Sequence, residues 1–340
     1  LKTKTIESSV QALLAPGKGL LAADESFPTI EKRFKELGIA STEPNRRAYR
    51  ELLFTSPGIG ESISGVILFD ETIRQKTSTG VLMPEMLAAL GIVPGIKVDA
   101  GTEAMPGFEG EKFTQGLDGL RGRLAEYVKL GARFTKWRVV IAIGKGIPTE
   151  ACIRLNARTH ALFAALSQEA GLVPIVEPEI LMDGKHTIEQ CEEISTVVLK
   201  RTFEELSAQR VVLEKMILKT GMVLSGADCP RQAGIPEVTE ATIRCFLRSV
   251  PAAVPGIVFL SGGQEDVPAT QRLDAISRAG ALPWKVTFSF GRALQDAAMK
   301  AWAGVPGNVA AAQKALSHRA RCNGLAVQGA YSEKVETSDA

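Results

Sequence analysis

Residues 214–223 read EKMILKTGMV. Met216, Ile217 and Leu218 form an unbroken apolar run, Lys219 interrupts it, and Met222 and Val223 resume it. Apolarity that continues rather than alternates suits a strand of a parallel sheet, covered on both faces. A lysine set in such a strand needs a reason, because a buried charge is costly unless it is paired. Seven further runs of the same kind occur: GLLAADES (19–26), SGVILFD (64–70), IVPGIKVD (92–99), FTKWRVVI (134–141), LVPIVEPEI (172–180), GIVFLSGG (256–263) and WKVTFSFG (284–291).

The segments between these runs carry helix signals. STEPNRRAYRELLF (41–54) offers Ser41 or Thr42 as a cap, Glu43 in the first turn and apolar positions at helical spacing. Residues 148–171 open on Pro148-Thr149-Glu150 and close on Gly171, and 187–206 and 238–250 have the same pattern. Eight strand–helix units over about 275 residues predict an α/β fold, a single (β/α)8 TIM barrel. A doubly wound open sheet is the runner-up, weakened by the lack of GxGxxG after the first strand. No linker or composition shift is visible, so residues 1–340 are expected to form one domain. The Ala-rich stretch 307–320 predicts a C-terminal helical extension, and the tail from about 321 is expected to be irregular.

Composition removes several function classes. The 340 residues carry 40 basic and 38 acidic side chains, well mixed, for a formal charge of +2. Neither a nucleic-acid patch nor a membrane-surface patch stands out, and no apolar run approaches the roughly 20 residues that span a bilayer. The cysteines (Cys152, Cys191, Cys229, Cys245, Cys322) and histidines (His160, His186, His318) are scattered in the sequence. That spacing offers neither a disulfide framework nor the usual zinc ligand set, and points to a reducing compartment. The first residue is Leu1, which leaves room for a removed targeting segment. The expected location is the cytoplasm, or the plastid stroma if such a segment existed.

In a barrel of this kind the chemistry gathers at the carboxyl ends of the strands. There the sequence places Asp24, Lys97 and Asp99, Lys136 and Arg138, Glu177 and Glu179, Lys219, Ser261-Gly262-Gly263 and Ser289-Phe290-Gly291-Arg292. Within each charged pair the spacing is two, which puts both side chains on one strand face. Taken singly, each has a bland reading: Asp24 as a helix cap, Glu177 and Glu179 as a solvated strand end or partners of Lys136 and Arg138, SGG as loop chemistry. Gly144-Lys145-Gly146 lacks the spacing of a phosphate loop. Together they put three lysines, two arginines and four carboxylates in one barrel mouth, which stability alone does not favour. Lys219, crowded by Lys97, Lys136 and apolar neighbours, is expected to lose its proton readily and to act as a nucleophile toward carbonyls, forming an imine.

These residues also resemble a known family, the class I fructose-1,6-bisphosphate aldolases. The likeness runs from GKGLLAADES to HRARCNG through VPGIKVDAG, TQGLDGL, KWR, LVPIVEPEI, FLSGGQ and FSFGRALQ, in order. It implies a metal-independent lyase without a cofactor, cleaving fructose 1,6-bisphosphate reversibly in glycolysis, gluconeogenesis or the Calvin cycle. It implies that Lys219 forms the Schiff base with dihydroxyacetone phosphate and that Glu177, with Glu179 beside it, is the acid and base of carbinolamine dehydration. Asp24 would handle the hydroxyl proton whose loss breaks the carbon–carbon bond, with Lys136 and Lys97 as cationic partners. Arg33, Lys97, Ser26, Thr29, Ser261, Gly262, Gly263, Ser289, Gly291 and Arg292 would bind the substrate and its two phosphates. The partners implied are the sugar phosphate and other copies of the chain in a homotetramer.

The sequence departs from the family pattern in places. Lys219-Thr220-Gly221 stands where Lys-Pro-Asn is more frequent, Phe27-Pro28-Thr29 replaces a more polar stretch, and Phe290 stands where tyrosine is frequent. The long tail ending in tyrosine is not visible. Other readings remain open at this level: a transaldolase or deoxyribose-phosphate aldolase, which need one phosphate site, and a barrel kept for binding or scaffolding.

Overall fold

The structure, a computed structural model, describes residues 2–337. All eight apolar runs are strands: β1 (Gly19–Ala23), β2 (Ile63–Leu68), β3 (Val93–Lys97), β6 (Phe134–Ile141), β7 (Val173–Ile180), β8 (Ile217–Thr220), β9 (Gly256–Phe259) and β10 (Lys285–Phe290). They close in the order β1-β10-β9-β8-β7-β6-β3-β2, every neighbour parallel. This is the predicted TIM barrel. An antiparallel hairpin of β4 (Thr102–Ala104) and β5 (Lys112–Thr114) projects between β3 and β6. The sequence reading did not anticipate it, since three-residue strands carry too little pattern.

The helices form where their caps place them. Thr42 accepts a hydrogen bond from the Asn45 amide to start Glu43–Phe54, and Thr149 accepts one from the Cys152 amide to start Glu150–Glu169. Thr187 and Gln190 make a reciprocal capping box ahead of Ile188–Ala208. Each such cap contributes about 1 kcal/mol.

Inside the barrel the strands obey their period of two, and the interior changes character along its axis. Leu20, Ile67, Phe134, Val173, Ile175, Ile217 and Val258 form an apolar lower layer. The first helix, Lys2–Leu13, closes this end, packing Ile6, Val10 and Leu13 into the same cluster, with Leu14 just beyond it. Phe134 is the pivot: a Cβ on Gly95 would come within 2.2 Å of its ring, so only glycine fits there. On β6, β7 and β8 the side chains two residues further along are ionic: Lys136 follows Phe134, Glu177 follows Ile175 and Lys219 follows Ile217. Burying each large side chain of the lower layer contributes roughly 1.5–3 kcal/mol, which offsets the cost of a charged layer above.

The tail differs from its expectation. Instead of turning irregular near 321, helix Val309–Val327 continues, and a short helix Glu333–Thr337 follows. Polar-looking residues there are packed. Asn323 is fully buried, accepts from Thr270 Oγ1 at 2.8 Å and donates to the Arg319 carbonyl. Among the described residues no helix is long and apolar enough to cross a membrane.

Candidate active site

The ionic layer lies at the carboxyl ends of the strands. Lys219 Nζ on β8 sits 3.1 Å from Glu177 Oε1 on β7, and both side chains are only 4% exposed. The other oxygen, Glu177 Oε2, lies 3.3 Å from Lys136 Nζ on β6 but makes no hydrogen bond. Lys136 Nζ also lies 2.7 Å from Asp24 Oδ2, just past β1, and 3.9 Å from Asp99 Oδ2. Asp99 meets Lys97 Nζ at 3.4 Å on its other oxygen. Glu179 is paired with Arg138 instead. The ammonium crowd expected around Lys219 is therefore interleaved with carboxylates, three lysines against Asp24, Asp99 and Glu177.

This mixing fixes protonation. Burial pushes the Asp24 carboxyl up, but the ammoniums of Lys136, Lys219 and Lys97 outweigh it and hold Asp24 well below the usual carboxylate range. Burial likewise raises Glu177, and Lys136 and Lys219 bring it below its ordinary value. Lys136 is raised: burial disfavours its charge, and Asp24, Glu177 and Asp99 more than compensate. At neutral pH Lys136 is thus a fixed positive charge between two ionised carboxylates.

The residues proposed for phosphate fall into two unlike groups. Arg292 opens helix Arg292–Trp302 after β10, is exposed, and makes no ion pair or hydrogen bond with the described residues. A Cβ on Gly263 would lie 3.6 Å from its Nη2, so the guanidinium stands over the Ser261-Gly262-Gly263 turn. Gly262 and Gly263 have φ of +58° and +95°, which glycine adopts without strain. Ser289, buried below, has an Oγ with no partner, and Gly291 precedes Arg292 as the helix cap. The strand pairing brings this corner beside β1, with Leu20 opposite Ser289.

Arg33 is not free in this way. Its guanidinium is held by Glu25, by Asp296 at 2.8 Å and by Gln295 at 3.4 Å. Ser26 and Thr29 lie near it at the start of helix Phe27–Glu36, their hydroxyls 3.1 Å apart. The Ser26 side chain makes no capping bond, which leaves first-turn amides of that helix open. Gln295 was missed by sequence reasoning. It is fully buried, donates to the Ala22 carbonyl at 2.6 Å and to Glu25, and accepts from Arg33 and Tyr49. Its partners are up to 273 positions away in sequence, so no local pattern announces it.

A closed parallel barrel with an amine seated against a carboxylate, beneath an unpaired arginine over a glycine turn, defines a (β/α)8 enzyme of imine and acid–base chemistry on an anionic carbonyl substrate. The family model described as "Fructose-bisphosphate aldolase class-I" matches residues 5–340. A probable class 1 fructose-bisphosphate aldolase of Xanthomonas axonopodis pv. citri is 53% identical over 97% of this chain and 99% of that protein. Cytosolic fructose-bisphosphate aldolase 4 of Arabidopsis thaliana is 48% identical over 97% of this chain and 84% of its own length. A solved structure of Plasmodium falciparum fructose-bisphosphate aldolase, in complex with TRAP and a small-molecule inhibitor, superposes with a TM-score of 0.96. It is 46% identical and the match covers 97% of this chain and 96% of that one. The chain belongs to the class I fructose-bisphosphate aldolase family. It is a metal-independent aldehyde-lyase of the Schiff-base kind, acting on a sugar phosphate.

Proposed function

We propose that this enzyme cleaves fructose 1,6-bisphosphate to dihydroxyacetone phosphate and glyceraldehyde 3-phosphate, and the reverse, with Lys219 as the imine-forming amine. The single observation that carries the assignment is the 3.1 Å approach of Lys219 Nζ to Glu177 Oε1 in a buried site. Attack of the amine on the ketone carbon gives a carbinolamine, whose hydroxyl must leave as water. Glu177, ionised in the resting site, is within reach to take the proton that Lys219 gives up on attack, to hand it to the leaving hydroxyl, and to run the same transfer backwards on hydrolysis. Its Oε2, free of hydrogen bonds, has lone pairs open for the exchange.

Loss of the hydroxyl proton next to the breaking bond sends the bond's electrons to the iminium nitrogen, forming an enamine and releasing the aldehyde. Asp24 is the base in this reading, and its proton affinity is set by Lys136 at 2.7 Å. A phosphate dianion entering the mouth raises the proton affinity of every group there, which brings Asp24 toward its task only when substrate is bound. Lys136 keeps its positive charge throughout.

The bisphosphate is held at both ends. Arg292 with Ser261, Gly262, Gly263, Ser289 and Gly291 takes one phosphate through charge and backbone amides. Ser26, Thr29 and Arg33 take the other, Arg33 by exchanging Asp296, the more exposed of its two carboxylate partners at 47% against 11% for Glu25. Lys97 adds charge between them, and Glu179 keeps Arg138 in place beside Glu177. The whole chain works as one barrel domain, in the cytoplasm by likeness to the cytosolic plant relative, and as a homotetramer by family resemblance. Sedimentation of the purified protein tests the last point.

Borohydride reduction in the presence of dihydroxyacetone phosphate tests the central assignment. The adduct should map to Lys219 by peptide mass. An adduct on Lys97 or Lys136 instead would overturn it. Lys219→Met should abolish trapping and cleavage while the far-ultraviolet spectrum is unchanged, since Met fills a similar volume.

A further inference from the structure

The sequence reading treated cysteines and histidines as scattered, yet His318 and Cys322 are one helical turn apart on Val309–Val327. The turn before Glu333–Thr337 brings Glu336 over them. Their ligand atoms all lie within 4.8 Å of one another, the imidazole Nε2 being 3.6 Å from Cys322 Sγ and 3.6 Å from Glu336 Oε2. We propose that His318, Cys322 and Glu336 form a site for a thiophilic divalent cation such as Zn²⁺, which clamps the C-terminal segment to the outer helix layer.

The geometry supports it. Tetrahedral zinc with the usual bond lengths separates an imidazole nitrogen from a thiolate sulfur by about 3.5 Å, and from a carboxylate oxygen by about 3.3 Å. The His–Cys distance already fits. The carboxylate must close by only a few tenths of an ångström toward the ring, and by up to about 1.3 Å toward the sulfur. It is already oriented: Tyr331 OH donates to Oε1 at 2.6 Å and Arg319 donates to Oε2. Each carboxylate oxygen has two lone pairs, so Oε2 can keep Arg319 and still take the ion, with Arg319 and Tyr331 as the outer groups that fix a metal ligand.

Charge and access are also provided. Arg319 is itself balanced by Asp266 at 3.7 Å, so the ion faces the thiolate and Glu336. Binding replaces the thiol proton, which goes to solvent as the sulfur–metal bond forms. Burial otherwise keeps that thiol protonated, its pKa pushed up to about 11. His318 lines an open cavity of about 430 Å³ with Pro57, Gln313, Lys314 and Arg321, through which an ion reaches the ring. Three protein ligands leave a fourth position for water on this side. The cluster lies in the outer helices and no residue of it belongs to the barrel mouth, so the clamp is structural and the cleavage reaction stays metal-free.

Cobalt(II) titration of the chelator-stripped full chain provides the test. One equivalent should bind, with a thiolate-to-cobalt charge-transfer band and the visible bands of a tetrahedral site. Cys322→Ser and His318→Gln should lose both bands, and Glu336→Gln should weaken binding at least about tenfold. All three should retain aldolase activity. If Cys322→Ser fails to fold, His318→Gln carries the test, because that ring is partly exposed. A wild-type protein without the charge-transfer band, or a band that survives in the folded variants, overturns the proposal. Neither result would touch borohydride trapping at Lys219, so the two readings fail separately.

Discussion

Thr220 Oγ1 donates to the Pro178 carbonyl at 3.1 Å, one residue beyond Lys219 on β8 and one beyond Glu177 on β7. The backbone pairing between these strands ends at Val176 opposite Leu218. The hydroxyl therefore holds the two strands together at the level of the amine and the carboxylate. Thr220 is where this sequence leaves the Lys-Pro-Asn pattern, and a proline there has no hydroxyl. Thr220→Val should leave the buried carbonyl without a partner and cost about 1–3 kcal/mol of stability. It should also lower kcat by more than it changes KM, because the Lys219–Glu177 distance is no longer fixed from this side. Urea unfolding and steady-state kinetics check both; an unchanged kcat would mean that the strands hold their spacing without Thr220.

Arg292 and Arg33 should separate in their effects. Losing a charge-assisted contact to phosphate costs about 1.5–3 kcal/mol, or roughly ten- to a hundredfold in kcat/KM. Arg292→Ala should lose that much with fructose 1,6-bisphosphate and with fructose 1-phosphate. Arg33→Ala should cost more with the bisphosphate. It should also lower thermal stability, since Glu25, Gln295 and Asp296 lose a shared partner. If Arg292→Ala stays within about twofold of wild type on both substrates, the two-phosphate reading of the mouth is wrong.

Strong chelators should leave cleavage unchanged, because acid–base groups and an amine fill the mouth. The measurement is kcat before and after exhaustive dialysis against chelator. Activity lost on dialysis and restored by zinc would move the reaction to a metal-dependent mechanism. Chelation should still strip an ion from the His318 cluster, so metal content and activity should come apart.

His160 predicts an acid-sensitive fold. It is fully buried behind β6 and β7 beside the backbone of Trp137 and Glu177, and burial outweighs those contacts and pushes its pKa down to about 4. Between the ordinary value near 6.5 and the folded one, the unfolded chain binds a proton that the folded chain does not. Stability therefore falls as pH drops through that window, by roughly 2 kcal/mol between pH 7 and pH 4.5. Asp24 and Glu177, whose pKa values are lowered, add stability above their unfolded values that fades as pH falls further. Urea denaturation at both pH values should show the loss, and His160→Gln should remove the His160 share of it. Equal slopes for the two proteins would mean that the folded state does not disfavour a proton on this ring.

The barrel was legible because each strand has two buried faces and each helix a cap, and both leave marks within a few residues. The ionic residues were legible for a related reason: a charge late in an apolar run stands out. Which charges meet was not. The bland reading paired Lys136 with the glutamates of β7, and it does approach Glu177 at 3.3 Å, yet its shortest contact is Asp24, just past β1 and across the barrel interior. Arg33 could be read as a phosphate ligand from sequence, but its tie to Gln295 and Asp296 depends on β1 closing against β10. The His318–Cys322 spacing of four was visible on a helix, but the helix was expected to end before Cys322.

The lower layer of the barrel leaves the reaction chamber with one doorway. Helix Lys2–Leu13 stoppers the far end with Ile6, Val10 and Leu13, packed on Phe134 and Ile175. The chamber floor holds Lys219, at 3% exposure, while Arg292 stands exposed at the rim. Two fragments made from one substrate must leave by the passage through which the substrate came. With Lys219 as the proposed imine-forming amine, the fragment held covalently at the floor cannot overtake the one nearer the rim, so departure follows a queue: the aldehyde goes first, and the ketone fragment goes only after water has reached the imine.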